Sequence, residues 1–221
     1  MDVIKNLASY VDHTLLDISA GPVDIEQLCR EAVEYGFASV CIHPWHVAQA
    51  SELLRFEKPK VCSVIGFPSG ATLTEVKMIE AMRTVEKGAQ ELDMVVNVGA
   101  LKAGDINTFL KDIFMTVEGA GGVPVKAIIE TGLLDDDQKK QACALAVKAG
   151  ASFVKTCTGF NCGSATVEDI KLMRASVGKS VGVKASGGIK TYDHACELVA
   201  AGATRLGTSS SIKIIQEAIG G

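Results

Sequence analysis

The chain has 221 residues, 48% hydrophobic and 22% charged, with 22 Gly against 5 Pro; this apolar share suits a packed core and excludes a disordered or fibrous chain. Its 22 Lys and Arg against 26 Asp and Glu leave a formal charge of −4, and aromatics are 5%. Neither a basic field nor a set of stacking platforms therefore argues for nucleic acid or an anionic membrane as partner. No run is long and apolar enough to cross a membrane, and the start MDVIKNLASYVDHT lacks the basic-then-apolar order of a secretory signal. A soluble, cytoplasmic protein is expected.

One unit recurs along the chain: a segment with helical apolar spacing, a Gly, a few small or polar residues, then a short apolar run. Gly36 leads into SVCI, Gly88 into ELDMVVN, Gly122 into VPVKAIIE, Gly150 into ASFVKT, Gly178 into VGVKAS and Gly202 into ATRLGT. A Gly that closes a helix adopts positive φ at little cost, so these positions read as C-terminal caps. The pattern predicts eight strands near 9–14, 39–43, 61–66, 91–97, 124–130, 152–156, 181–185 and 204–207. Helices are predicted near 24–35, 45–55, 73–87, 105–118, 136–149, 166–176, 191–201 and 210–219, the run Asp135–Asp137 opening one of them. Short apolar strands alternating with helices describe a parallel sheet covered by helices. Eight such units match a single-domain (β/α)₈ TIM barrel over residues 1–221, a fold that usually takes ~250 residues. An open doubly wound sheet competes, but no Gly-x-Gly-x-x-Gly turn follows the first strand.

Three lysines stand at matching places in this repeat: Lys126 in PVKAI, Lys155 in FVKTC and Lys184 in GVKAS, each 29 residues from the next. Asp93 in ELDMVVN lies at a similar depth in strand four. Alternation puts Asp93 on the face of Glu91 and Val95, and Lys126 on that of Ile128 and Glu130. Leu92, Met94, Val96, Val125, Ala127 and Ile129 then face the helices. The four charges point together into the barrel, toward its C-terminal end. Three ammoniums beside one or two carboxylates are expected to depress at least one lysine pKa, and a neutral amine attacks carbonyls. The other reading is a layer of salt bridges that merely fills the barrel.

After Lys184 comes ASGGIK, and after strand eight comes GTSSSIK. Gly187 and Gly188, and Gly207, Ser209 and Ser210, would bare backbone N–H groups at helix starts, and the loops after strands seven and eight of such barrels commonly bind phosphate. Thr158 and Gly159 could add donors on the same rim. Ordinary helix capping by Ser and Gly is the alternative.

Asp12 and His13 in VDHTLLD either line the pocket or serve as caps and core hydrogen-bond partners. His43 and His46 in CIHPWH are read as loop or helix-start residues rather than metal ligands, and Cys41 as a buried structural thiol. The seven cysteines are odd in number and lack Cys-x-x-Cys spacing, so free thiols are expected, without a disulfide framework or structural zinc.

Nearly end to end, the segments VDHTLLD, SVCIHPWHV, VIGFPSGATLTEVK, ELDMVVNVGALKAGD, VKAIIETGLL, FVKTCTGF, VGVKASGGIKT and RLGTSS resemble the deoxyribose-phosphate aldolase family, in that family's order. The resemblance implies a (β/α)₈ barrel that works without metal or other cofactor, through a lysine Schiff base. It implies reversible cleavage of 2-deoxy-D-ribose 5-phosphate to acetaldehyde and D-glyceraldehyde 3-phosphate. On this likeness Lys155 is the Schiff-base lysine, Lys184 its cationic neighbour and Asp93 the proton-relay acid. Gly159, Gly187, Gly188, Gly207, Ser209 and Ser210 hold the phosphosugar, and Lys126, Thr158, Thr14 and Cys41 have supporting places. A homo-oligomer, dimer or tetramer, is also implied. Cys157 and Cys162 depart from the small or hydroxyl residues common in the family's strand-six loop.

Overall fold

Gly36, Gly88, Gly122, Gly150, Gly178 and Gly202 all take positive φ in a computed structural model that describes residues 4–160 and 163–220. At Gly36 (φ 69) the N–H reaches back to Val33 O at 3.3 Å and that of Phe37 to Ala32 O at 2.9 Å, closing helix α1 (Pro22–Tyr35). The left-handed turn satisfies carbonyls that the helix end would otherwise orphan.

The strands are β1 (Val11–Leu15), β2 (Ser39–Ile42), β3 (Lys60–Ile65), β4 (Glu91–Val95), β5 (Val125–Ile128), β6 (Phe153–Lys155), β7 (Gly182–Ser186) and β8 (Arg205–Thr208). Between and after them run α2 (Val47–Leu53), α3 (Thr74–Glu86), α4 (Val98–Lys102), α5 (Ile106–Gly119), α6 (Asp136–Lys148), α7 (Val167–Val177), α8 (Tyr192–Ala200) and α9 (Ser211–Gly220). The short α4 and the 3₁₀ turns at Ile4–Tyr10, Pro44–His46 and Thr131–Leu133 are additions to the predicted set. Helix α6 starts at the acidic run: Asp135 accepts the N–H of Gln138, and the Gln138 side chain accepts that of Asp135, the reciprocal pairing of a capping box.

All eight strands are parallel, each pairs with the next, and β8 closes onto β1 through Val11↔Leu206, Asp12↔Gly207 and His13↔Thr208. This is the (β/α)₈ barrel. Leu92, Met94, Val96, Val125, Ala127 and Ile129 face outward into the apolar layer beneath the helices, as alternation demands. Among the described residues no helix is long and apolar enough to cross a membrane.

The interior holds a second, smaller apolar cluster of Leu16, Cys41, Cys62 and Val64; much of the remaining space belongs to charged side chains. Two interior glycines make room for long neighbours. A Cβ on Gly182 would lie 2.1 Å from the Phe153 ring, and one on Gly207 would lie 2.9 Å from Lys184 Cε. Bulky residues at both places would displace the ring or the ammonium that fills the barrel.

Candidate active site

Strand pairing sets the depth of each charge. Asp93 is level with Lys126, and Lys155 is level with Lys184. Across β5 and β6, however, Ile128 is the partner of Lys155, and Lys126 that of Phe153. Lys126 thus sits two residues deeper than its equal spacing in sequence suggests, because closing a sheet into a barrel staggers neighbouring strands. The side chains still converge. Lys155 Nζ and Lys184 Nζ each donate to Asp93 Oδ2 at 2.7 Å, and Lys126 Nζ donates to Asp93 Oδ1 at 2.9 Å.

The cluster is also richer than three lysines and one or two carboxylates. Lys184 pairs with Asp12 from β1, Lys126 with Glu91 at 2.7 Å, and Arg205 from β8 with both Asp12 (2.6 Å) and Glu91 (3.2 Å). Four largely buried cations therefore face three buried carboxylates, and the half-exposed Lys60 also reaches Glu91 at 3.3 Å. Burial alone would push these carboxyls up, yet the surrounding ammoniums outweigh it: Lys184, Lys126 and Arg205 hold Asp12 below the ordinary range, and Lys126, Lys155 and Lys184 hold Asp93 well below it. Glu91 is lowered against burial by Lys126 and Arg205.

For two of the lysines the expected depression is reversed. Burial opposes the charge on Lys126 and Lys184, but Asp93 and its fellow carboxylates win and raise both. The third carboxylate, Asp12, is the reason, since it supplies a counter-charge beyond the one or two expected.

A cavity of about 750 Å³ opens at the C-terminal end of the barrel. Lys155 lines it; Lys126 and Lys184 are completely buried beneath. Every residue expected to hold the phosphosugar (Gly159, Gly187, Gly188, Gly207, Ser209 and Ser210) lies on its wall, as do Thr158 and Thr14. Gly187 and Gly188 take φ of 93° and 70°, and a Cβ on Gly187 would lie 2.4 Å from Cys157 Sγ. The approaches to α8 and α9 both border this space, which places the positive ends of two helices against it. Two donors expected to be free are engaged: the N–H of Thr158 goes to Glu130 Oε1 and that of Ser210 to Thr208 Oγ1.

The remaining candidates separate by side. Asp12 points inward; His13 points out to Glu31 of α1, 2.8 Å away. His43 contacts Leu16 O at 3.2 Å and His46 lies in the turn before α2, in keeping with loop roles. Cys41 is buried with Cys62, whose Sγ is 3.1 Å from Asp93 Oδ1. The Cys41, Cys62 and Asp93 ligand atoms lie within 4.8 Å of one another, but lysine ammoniums already engage both Asp93 oxygens. Cys157 is buried with its thiol donating to Ser186 O at 2.8 Å, and Cys162 falls outside the described residues.

Arg205, Cys62 and Lys190 were not singled out from sequence. Alternation along RLGT places Arg205 inside together with Gly207, so that signal was present. Lys190, which lines the cavity, had none beyond its place after SGGI.

A sequence model of the DeoC/LacD family aldolases matches residues 7–216. The chain belongs to that family. It is 54% identical to deoxyribose-phosphate aldolase of Carboxydothermus hydrogenoformans over 97% of this aldolase and 96% of that relative. Against deoxyribose-phosphate aldolase of Thermococcus gammatolerans the identity is 52%, covering 96% of each chain. Among solved structures, the Aeropyrum pernix deoxyribose phosphate aldolase, described as a unique tetramer, superposes with a TM-score of 0.91 at 35% identity, covering 98% of this aldolase and 92% of that one.

Proposed function

We propose that the chain is a deoxyribose-phosphate aldolase, cleaving 2-deoxy-D-ribose 5-phosphate reversibly to acetaldehyde and D-glyceraldehyde 3-phosphate through an imine on Lys155. One observation carries the assignment of roles: of the clustered lysines, Lys155 alone meets the cavity. The barrel is taken as the catalytic unit.

Lys184 has Asp12 and Asp93 as counter-ions, and Lys126 has Asp93 and Glu91. Among the described residues Lys155 has one ion-pair partner, Asp93 Oδ2, which it shares with Lys184, and the Glu130 carboxylate attracts it as well. Among the clustered amines Lys155 has the fewest ion-pair partners and meets the cavity, which assigns it as the nucleophile. That amine attacks the C1 aldehyde, and water leaves to form an iminium. As the C3 hydroxyl loses its proton, the C2–C3 bond breaks, glyceraldehyde 3-phosphate departs and the enamine holds the electron pair. Asp93 and Lys184, joined by a hydrogen bond, exchange protons with the C3 oxygen and then with C2 through a water. Hydrolysis of the second iminium releases acetaldehyde and restores Lys155.

The phosphate is assigned to the backbone N–H groups of Gly187–Gly188 and Ser209 at the two helix starts, with Lys190 adding charge on the same wall and the Ser210 N–H held by Thr208. The ~750 Å³ of space accommodates a pentose phosphate. The chain is further proposed to act as a homo-oligomer. The tetrameric Aeropyrum relative and an exposed apolar row on α3 (Leu73 just before it, Val76, Ile79) support this.

Coupled detection of glyceraldehyde 3-phosphate tests the reaction, and borohydride reduction in the presence of substrate tests the imine. The expected results are product release and a mass increase on Lys155. Product without an adduct would reject the imine; an isomerase working by proton abstraction would give neither.

A further inference from the structure

Glu130 is the one non-glycine residue with positive φ among those described, at φ 55 and ψ 64. It follows β5 and is almost completely buried. Its Oε1 accepts the N–H of Thr158 at 2.5 Å, whereas Oε2 is buried with no partner, like Oγ1 of the adjacent Thr131. Burial pushes the carboxyl up, against the hydrogen bonding of Thr158 and the attraction of Lys155, which lower it. A left-handed non-glycine backbone and a half-satisfied buried acid both oppose stability. Glycine would fit that backbone without strain, and glutamine could accept from Thr158 without burying a charge. Stability alone therefore does not account for this side chain.

What it grips is part of the cavity. Thr158, Gly159 and Phe160 line the space beside Lys155. Thr158 Oγ1 accepts the N–H of Phe160 at 3.2 Å, and the Phe160 ring meets Phe67 edge-on at 5.2 Å. Gly159 lies against the other wall, where an added Cβ would be 3.6 Å from Gly187 Cα. A hold on Thr158 is thus transmitted to both the apolar rim and the Gly187–Gly188 loop.

We propose that Glu130 is a positioning residue, which fixes the Thr158–Phe160 turn through the Thr158 N–H and so sets the distance between the Lys155 wall and the phosphate loop. The kinetic part rests on the reading of the cavity as a phosphosugar site. Because the hold acts through one acceptor oxygen, Glu130→Gln should preserve it, while Glu130→Gly removes it and leaves the backbone unstrained.

Two measurements on both variants test this. In hydrogen exchange, the Thr158 amide should be protected in the parent and in Glu130→Gln, and exposed in Glu130→Gly; this readout needs no sugar. In kinetics, Glu130→Gly should raise KM for the sugar phosphate and the inhibition constant of inorganic phosphate by about tenfold with kcat changed less than about threefold, and Glu130→Gln should stay within about threefold throughout. Retained Thr158 protection in Glu130→Gly overturns the positioning role. So does a Glu130→Gln variant, folded by circular dichroism, that loses Thr158 protection or is as impaired as Glu130→Gly. A parent protein that cleaves no deoxyribose phosphate but shows the exchange pattern would instead overturn the substrate reading and leave the hold on Thr158 standing.

Discussion

Lys155 and Lys184 compete for one oxygen, Asp93 Oδ2, at equal distances of 2.7 Å. Only Lys184 has a second carboxylate, Asp12, to keep its proton. Replacing Lys155 with Ala should therefore abolish cleavage and the borohydride adduct together, with the fold intact, as a mass spectrum and a circular dichroism melt would show. Lys184→Leu removes the cation that shares Asp93 Oδ2. Asp93 is then free to hold the proton of Lys155 more firmly, so the pH–rate profile of the residual activity should move to higher pH; an unmoved profile would reject the electrostatic account. Gly187→Ala sets a methyl group 2.4 Å from Cys157 Sγ at a φ of 93° and should raise KM at least about tenfold, measured with the coupled assay. Asp93, Lys155 and Lys184 were legible because a charge inside an apolar strand stands out and alternation gives its direction. The depth of Lys126 was not, since it depends on how neighbouring strands are staggered, which no local pattern encodes, and for Asp12 pocket lining and a capping or core role stood open.

Helices α3 and α5 meet across a buried ion pair that the sequence did not reveal, because Lys77 and Asp112 lie on different helices, 35 residues apart. Lys77 Nζ donates to Asp112 Oδ2 at 2.6 Å and to Val95 O at 2.9 Å, and Asp112 Oδ2 also accepts the N–H of Asn97. Burial lowers the lysine and raises the acid despite their attraction, so each partner is shifted toward its neutral form. Asp112→Ala should cost about 3–5 kcal/mol by stranding the amine, while Lys77→Met combined with Asp112→Leu should fall near the parent; denaturant titration of the two variants measures this. Gly66 packs directly on Lys77, where a Cβ would touch Cε at 2.9 Å, so the pair also fixes the turn that carries Phe67. The elements themselves were largely readable, through glycine caps and acidic helix starts. Helix α4 escaped because five residues, one of them Gly99, are too few to show a helical period.

At the scale of the molecule the interior charges tie stability to pH. Asp12, Asp93 and Glu91 have folded-state pKa values below their unfolded ones. Their contribution is present above the unfolded carboxylate range, about pH 4, and is lost as pH falls through the folded values. Lys126 and Lys184 are raised, so theirs is complete below about pH 10 and is lost as pH rises past the folded values. Melting temperature should form a plateau between those limits and decline steeply below about pH 4, with a shallower acid decline in Asp12→Asn; scanning calorimetry across pH gives both curves.

The join between β8 and β1 brings Asp12 to partners 172 and 193 positions later, Lys184 and Arg205. Ribosomes deliver a chain from its N-terminus, so Asp12 must wait through most of translation for the counter-ions that make its enclosure tolerable. A message cut short before codon 205 would leave both Asp12 and Glu91 without their guanidinium. Such a fragment could not assemble the complete charge centre, and carbon–carbon bond cleavage becomes available only once the cylinder's final stave is in place.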